Sequence, residues 1–198
     1  RRRCSRPGRG ESTNEQSYPV QREIEDLESL IDNAGGQAYL YGVSSGGALS
    51  LHAIGKLGAT KVPKLAIFEP PYGQDKEAFD KQKQGVNERI KNGTPGDAAE
   101  FFLSQIGMPA EAIEKMKSSP AWSTFEKIDF TLAYDYQVLG DGAIPRDVVK
   151  TITIPTLVMA GEKGMDFMHA TAEQLATLMS NAQYKTLKGQ MHQPKAEA

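Results

Sequence analysis

The sequence has little of what marks several common protein classes. Cys4 is the only cysteine among 198 residues, which excludes a disulfide scaffold and zinc sites built from paired cysteines. No apolar run approaches the roughly 18 residues that a membrane-spanning helix needs. The formal net charge is only −2, so the whole chain creates no field that would attract nucleic acid or an anionic membrane. We therefore expect a soluble, cytoplasmic protein whose partners are neither nucleic acids nor membranes.

The first nine residues depart from this even balance of charge. They contain an arginine cluster, which is a feature of some nucleic-acid-binding segments. No aromatic residue lies between the arginines, and the run is rich in glycine and proline, so we interpret it as a solvated loop. No apolar segment follows it, which argues against a signal peptide. The arginines are Arg1, Arg2, Arg3, Arg6 and Arg9.

The apolar residues follow two alternating patterns. Between Val20 and Ala34 they recur every three or four residues, which predicts a helix with one buried face. Short apolar runs predict strands over residues 37–42, 65–68, 156–160 and 184–187. Residues 45–57 and about 167–180 are predicted to form helices. Such alternation builds a mostly parallel sheet with helices on both faces. The predicted fold class is α/β, with about four strands.

Residues 72–150 interrupt the alternation, because only helical segments are recognisable there. A crossover between parallel strands needs a dozen or so residues, whereas this stretch has about 80. We predict a helical cap or lid over the C-terminal edge of the sheet, where ligands bind in open α/β sheets. The predicted domains are a core of residues 1–71 and 151–198 and a cap of residues 72–150.

One motif carries chemistry. Gly42-Val43-Ser44-Ser45-Gly46 follows an apolar strand and leads directly into a helix, which is the context that a Gly-x-Ser-x-Gly nucleophile elbow requires. The sharp turn strains Ser44 and crowds the positions two before and two after it, so glycine is expected at both. We predict Ser44 as a nucleophile and the Ser45 N–H, at the start of the helix, as an oxyanion donor.

A serine hydroxyl needs a base to take its proton, and the sequence offers three histidines. His52 lies about two helical turns beyond Ser44 and cannot reach back to it. His169 falls inside a predicted helix. His192 follows the last strand in a short loop that reaches the same edge of the sheet as the elbow. We predict His192 as the base.

Two carboxylates compete for the role of the acid that orients the imidazole. In the chain order serine, acid, histidine, the acid follows the penultimate strand, where Asp166 is the preferred candidate. Glu162 lies nearer the strand end, and we interpret it as a solvated loop charge. Glu69, at the end of the strand over residues 65–68, is the alternative, because a carboxylate there lies beside the elbow. Both assignments stay open at this point.

Taken together, these segments resemble the α/β-hydrolase family, in the branch with a helical cap before the penultimate strand, and the resemblance covers essentially the whole chain. It implies a Ser-His-acid triad. In this family an acid commonly follows the seventh strand at a position that is Gly164 here, a departure from the pattern. The matching segments are Arg6-Pro7-Gly8-Arg9-Gly10-Glu11-Ser12 for the Arg-Gly-x-Gly-x-Ser loop, the elbow 42–46, Phe68-Glu69-Pro70-Pro71 for the end of the sixth strand, and Gly189-Gln190-Met191-His192 for the histidine loop.

The resemblance also implies parts that this sequence does not contain. In the family, about four strands, a helix and a His-Gly loop precede the arginine-rich loop, and a closing helix follows the histidine. The His-Gly loop supplies the second oxyanion donor. For this chain we therefore expect half an oxyanion hole and an unpaired edge at the strand over residues 37–42.

The function that this pattern predicts is serine hydrolysis of a small-molecule acyl substrate such as an ester, thioester or lactone. Two alternatives remain. The chain could be a non-catalytic remnant or binding protein that keeps the fold, or it could have a cofactor-free haloperoxidase-like activity on the same triad. No phosphate-binding loop, dinucleotide fingerprint or metal-ligand spacing is present, so we expect no cofactor and no metal.

Overall fold

A computed structural model describes residues 6–9, 12 and 18–195. Contacts divide them into two compact units. The helical unit contains residues 75–137 together with the described residues up to Tyr18, and the sheet unit contains residues 19–74 and 138–195. The sequence placed the helical insertion at 72–150, whereas the contacts group residues 72–74 and 138–150 with the sheet.

Four parallel strands form one sheet in the order β1-β2-β3-β4. They are β1 (Leu40–Val43), β2 (Leu65–Phe68), β3 (Thr156–Gly161) and β4 (Ala182–Leu187). This confirms the predicted α/β class with a parallel sheet. The pairing runs Val43 to Phe68 to Met159, so β1 and β2 end at the same level. The residues that follow the two strands, Ser44 and Glu69, are therefore neighbours at the C-terminal edge.

The described residues form the helices α1 (Val20–Asn33), α2 (Ser45–Lys61), α3 (Lys76–Asn92), α4 (Asp97–Gln105), α5 (Ala110–Lys117), α6 (Trp122–Ile128), α7 (Leu132–Leu139), α8 (Arg146–Val149) and α9 (Asp166–Leu178), with a 3₁₀ turn at Asp129–Thr131. None of these helices is long and apolar enough to cross a membrane.

The core of the sheet unit lies between the sheet and four of its helices. Helix α2 packs on β1 and β2, helix α9 packs on β3 and β4, α8 contacts both helices, and α1 packs on α2. Leu51, Ile67, Val158 and Leu175 are fully buried. Burial of such side chains contributes about 1.5–3 kcal/mol each, so this layer fixes the strands that carry the candidate site.

The sequence predicts helices on both faces of the sheet, but the face opposite this core is partly exposed. Tyr41, Ala66, Leu157 and Gln183 are paired in one row across the four strands. Tyr41 is 57% exposed, and the side chain of Gln183 is exposed too. This row is therefore accessible to solvent in the part of the chain that the structure describes.

The helical unit has its own apolar core, built from α4, α5 and α6. Its buried members are Ala99, Leu103, Ile113 and Trp122, with Met108, Met116 and Phe125 packed against them. This small cluster holds α4, α5 and α6 together, and α3 packs on α4.

Two arginines of the N-terminal cluster are ion-paired in this unit instead of being solvated. Arg6 pairs with Asp135, and Arg9 holds the other carboxylate oxygen of Asp135 at 2.7 Å. Arg9 Nε also donates to the Thr131 hydroxyl at 3.0 Å. The interpretation of a solvated loop is therefore wrong for Arg6 and Arg9, and Arg1 to Arg3 lie outside the described residues.

Candidate active site

Ser44 occupies the turn between β1 and α2. Its backbone has φ 54° and ψ −129°, a combination that costs a non-glycine residue about 1–3 kcal/mol. The Ser44 N–H donates to the Phe68 carbonyl at 2.9 Å, which ties the turn to the end of β2. The predicted strand-turn-helix geometry of an elbow is therefore present at Ser44.

Crowding explains one of the two motif glycines. A Cβ added at Gly42 would lie 2.4 Å from the Gly46 carbonyl oxygen and 2.6 Å from Ser50 Oγ, so only glycine fits there. A Cβ at Gly46 meets no atom within 4 Å outside its own helix backbone, whereas one at Gly47 would lie 3.3 Å from the Gly42 carbonyl oxygen. The close approach of α2 to the strand is therefore at Gly42 and Gly47, and the expected crowding at Gly46 is wrong.

Glu69 follows β2 and is completely buried, with 0% exposure. Its N–H donates to the Met159 carbonyl at 2.9 Å, which fixes its backbone against β3. One carboxylate oxygen, Oε1, accepts the Gly161 N–H at 2.8 Å. The other, Oε2, lies 2.6 Å from Nδ1 of His192. The carboxylate thus joins the ends of three different segments.

Strain marks the same two residues. Among the described residues, Ser44 and Glu69 are the non-glycine residues with positive φ, 54° and 47°. Side chains other than glycine rarely adopt this conformation, and such residues cluster at functional sites. Because Ser44 and Glu69 follow two adjacent strands, this edge of the sheet differs from the rest of the described backbone.

His192 lies in the loop after β4, and neighbouring backbone groups hold that loop. The Glu162 carboxylate accepts the Gly189 N–H at 2.8 Å, and the Lys163 N–H donates to the Gln190 carbonyl at 3.0 Å. The Gln190 side chain in turn accepts the Lys195 N–H at 2.9 Å. Glu162 is exposed, in agreement with its interpretation as a solvated loop charge, and its carboxylate also accepts a hydrogen bond from the histidine loop.

The contact with Glu69 also sets the state of the His192 ring. A carboxylate can only accept, so Nδ1 of a neutral His192 carries the proton and donates it to Glu69. Nε2 then holds the lone pair. The His192 side chain is 37% exposed while Glu69 is 0% exposed. The Nδ1 side of the ring therefore contacts a carboxylate that is shielded from solvent, while part of the ring is accessible to solvent.

Asp166, the preferred acid from the sequence, is not brought to the histidine. It is the first residue of α9 and is exposed, while Nδ1 of His192 is bonded to Glu69. The alternative acid, Glu69, takes that place because it follows β2, the strand adjacent to the elbow strand. The structure therefore corrects the preference for Asp166.

The two other histidines have partners of their own. Nε2 of His52 lies 3.2 Å from the Val138 carbonyl, and Nδ1 of His169 lies 2.8 Å from the Tyr184 hydroxyl. Burial lowers the pKa of His52 below its ordinary value of 6.5. Both side chains join helices to neighbouring elements, as expected of structural histidines.

Ser45 begins α2, so its N–H belongs to the end of the helix where backbone donors and the helix dipole favour a negative charge. The Ser44 carbonyl accepts from the N–H groups of Gly47 at 2.8 Å and Ala48 at 3.2 Å, which shows that the helix starts directly after the serine. The role of the Ser45 N–H as an oxyanion donor stays a prediction.

Sequence reasoning missed the part that Gly161 and Gly164 play. Gly161 gives its N–H to Glu69, and Gly164 lies so close that an added Cβ would be 2.2 Å from Glu69 Oε1. The one available signal was Gly164 itself, a glycine where the resembled family commonly has an acid.

Similar folds are found among solved structures, whereas the sequence matches no protein-family model and no curated protein. Among solved structures, an α/β hydrolase from Sphaerobacter thermophilus is 37% identical, with a TM-score of 0.79 over 95% of this chain and 74% of that one. A thermophilic esterase from Thermogutta terrifontis (20% identity, TM-score 0.67, 93% and 70% covered) and an enol-lactonase from Burkholderia xenovorans (18%, 0.65, 91% and 69%) share the fold.

The identity to the Sphaerobacter protein, over about three quarters of its length, is high enough to indicate common descent. Its fold agrees with the parallel sheet described above. The chain belongs to the α/β hydrolases.

Proposed function

We propose that this chain is a serine hydrolase that cleaves an ester-like acyl bond with Ser44 as nucleophile, His192 as base and Glu69 as the orienting acid. The observation that carries the proposal is the 2.6 Å contact between His192 Nδ1 and the buried Glu69 carboxylate, at the sheet edge where Ser44 is strained. A buried carboxylate on one ring nitrogen is the arrangement that makes the other nitrogen a base.

In the first half of the reaction, the Ser44 hydroxyl attacks the carbonyl carbon of the substrate while Nε2 of His192 takes the hydroxyl proton. The carbonyl oxygen becomes an oxyanion, and the Ser45 N–H donates to it. The tetrahedral intermediate then collapses. The bond to the leaving alcohol breaks, His192 returns the proton to that alcohol, and the acyl group stays on Ser44.

In the second half, His192 takes a proton from water, and the resulting hydroxide attacks the acyl carbon. Collapse of this intermediate breaks the bond to Ser44, which recovers its proton from His192, and the acid is released. In both halves His192 is transiently an imidazolium, and the Glu69 carboxylate 2.6 Å away stabilises its positive charge. The buried position of Glu69 strengthens that attraction because little water screens it.

The proposal is tested by labelling the chain with a fluorophosphonate, which reacts with activated serines, and by turnover of p-nitrophenyl acetate. Ser44→Ala should lose labelling and lose turnover by about 10³-fold or more, the scale for removal of a triad nucleophile. Ser29→Ala is the matched control, because Ser29 lies exposed on α1 and bonds only the Glu25 carbonyl of its own helix. Equal labelling of Ser44→Ala and the unmodified chain would refute the serine mechanism.

A further inference from the structure

Gly164 lies in the loop that follows β3, and the space beside it is already taken. Its N–H donates to the Gly161 carbonyl at 2.8 Å. A Cβ built on Gly164 would lie 2.2 Å from Oε1 and 3.2 Å from Cδ of Glu69. Separations below 3 Å are not tolerated by real Cβ atoms, so one of the two groups would have to move.

Space, and not backbone conformation, is what requires glycine here. Gly164 is absent from the described residues with positive φ, so an ordinary side chain would fit its backbone. The absence of a side chain at Gly164 thus leaves room for the Glu69 carboxylate.

Glu69 has no room to retreat. Its backbone is held at φ 47° by the bond from its N–H to the Met159 carbonyl, and its two carboxylate oxygens are held by Gly161 and His192. Since the residue is 0% exposed, no solvent-filled space is open to the carboxylate. Any side chain at position 164 would therefore push the carboxylate away from the Gly161 N–H, and with it from His192.

We propose that Gly164 is a positioning residue for the triad: the lack of a side chain there admits the Glu69 carboxylate to His192. The placement of the Glu69 carboxylate concerns only the fold, while its effect on Ser44 rests on the proposed function.

The first experiment measures thermal unfolding of Gly164→Ala, Glu69→Ala and the double variant, with Lys163→Ala as a control because its side chain is exposed. Gly164→Ala should lower the midpoint by about 2–4 °C or more in the native background. It should have a smaller effect once Glu69 is alanine, because only the Gly161 carbonyl oxygen, 3.0 Å from the built Cβ, then remains close. Equal losses in the two backgrounds would overturn the spatial argument, whatever the activity of the chain.

The second experiment measures fluorophosphonate labelling of Ser44 across pH. Gly164→Ala should slow labelling by at least about tenfold and shift its pH dependence toward that of Glu69→Ala, because the displaced carboxylate no longer holds His192. In the Glu69→Ala background the same substitution should have no further effect, whereas general structural damage would accumulate. Lys163→Ala should label as fast as the native chain.

The two arms separate the possible failures. A Gly164→Ala variant that labels as fast as the native chain would overturn the role of Gly164 in the site. If Ser44→Ala still reacts while the unfolding cycle gives the expected coupling, the proposed function is refuted and the role of Gly164 in placing Glu69 stands.

Discussion

Neutralising Glu69 without changing its shape is the most direct test of the site. Glu69→Gln keeps the size of a buried side chain whose two oxygens accept from His192 and the Gly161 N–H. Glutamine offers one oxygen and one NH₂ group. With its oxygen on the Gly161 N–H, its NH₂ group meets Nδ1 of His192, which can accept it only if the ring proton moves to Nε2. Exchanging a hydrogen bond to a charged acceptor for one between neutral groups costs about 1 kcal/mol, which for a chain of this size lowers the unfolding midpoint by about 2–4 °C.

The effect on catalysis should be much larger than the effect on stability. On the proposed mechanism, an amide in place of the Glu69 carboxylate should reduce kcat by about 10⁴-fold, because the imidazole loses its correct tautomer. This corresponds to about 5 kcal/mol in the barrier. The measurements are the turnover of p-nitrophenyl acetate and the rate of fluorophosphonate labelling at neutral pH, at a temperature where the variant is folded.

Asp166→Asn is the matched control for this change. Asp166 is exposed at the start of α9, so its neutralisation removes only a favourable helix-dipole interaction of about 0.3–1 kcal/mol. Activity should stay within about twofold of the native chain. If Asp166→Asn is the damaging change while Glu69→Gln remains active, the assignment of Glu69 as the acid is refuted.

Two further outcomes follow from the structure. Gly42→Ala should destabilise the fold by about 1–3 kcal/mol because its Cβ would lie 2.4 Å from the Gly46 carbonyl oxygen, whereas Gly46→Ala should cost less, and equal losses in thermal unfolding would contradict the crowding argument. Burial lowers the pKa of His52 below 6.5, so the unfolded chain binds more protons than the folded chain as the pH falls below 6.5. The stability that neutral His52 contributes is therefore fully present above pH 6.5 and is lost as the pH falls through the lowered pKa of the folded state. In His52→Gln the difference between urea unfolding at pH 7.5 and at pH 5 should shrink, and an unchanged difference would show that His52 does not contribute.

Strand and helix positions were predictable where the signal is local. The apolar run of β2 is bounded by Lys64 and Glu69-Pro70, and the prediction of residues 65–68 is confirmed. β1 begins at Leu40, three residues later than the run of apolar residues suggests. The reason is that the preceding Ala38 N–H bonds the Lys61 carbonyl outside the strand ladder, a contact that periodicity does not encode.

The acid of the candidate site was not predictable in the same way. Chain order placed Ser44 before the acid and His192 after it, and both Glu69 and Asp166 satisfy that order. The choice between them depends on a hydrogen bond between Gly161 and Glu69, which are 92 residues apart in the sequence. Only a three-dimensional register of β2 against β3 brings those groups together, so composition and spacing left two candidates.

The chain path at the base of the helical insertion has a consequence for how this protein can vary. The Gly73 N–H donates to the Gly142 carbonyl at 2.9 Å, and both glycines have positive φ, 76° and 81°. The chain therefore leaves the sheet unit and returns to it through neighbouring segments, with residues 75–137 of the helical unit between them. A short glycine-containing turn could bridge the same gap. Because each doubling of loop length costs only about 0.6 kcal/mol, we expect that residues 75–137 can be shortened, lengthened or replaced by the matching segment of a homologue at a small entropic cost to the sheet unit.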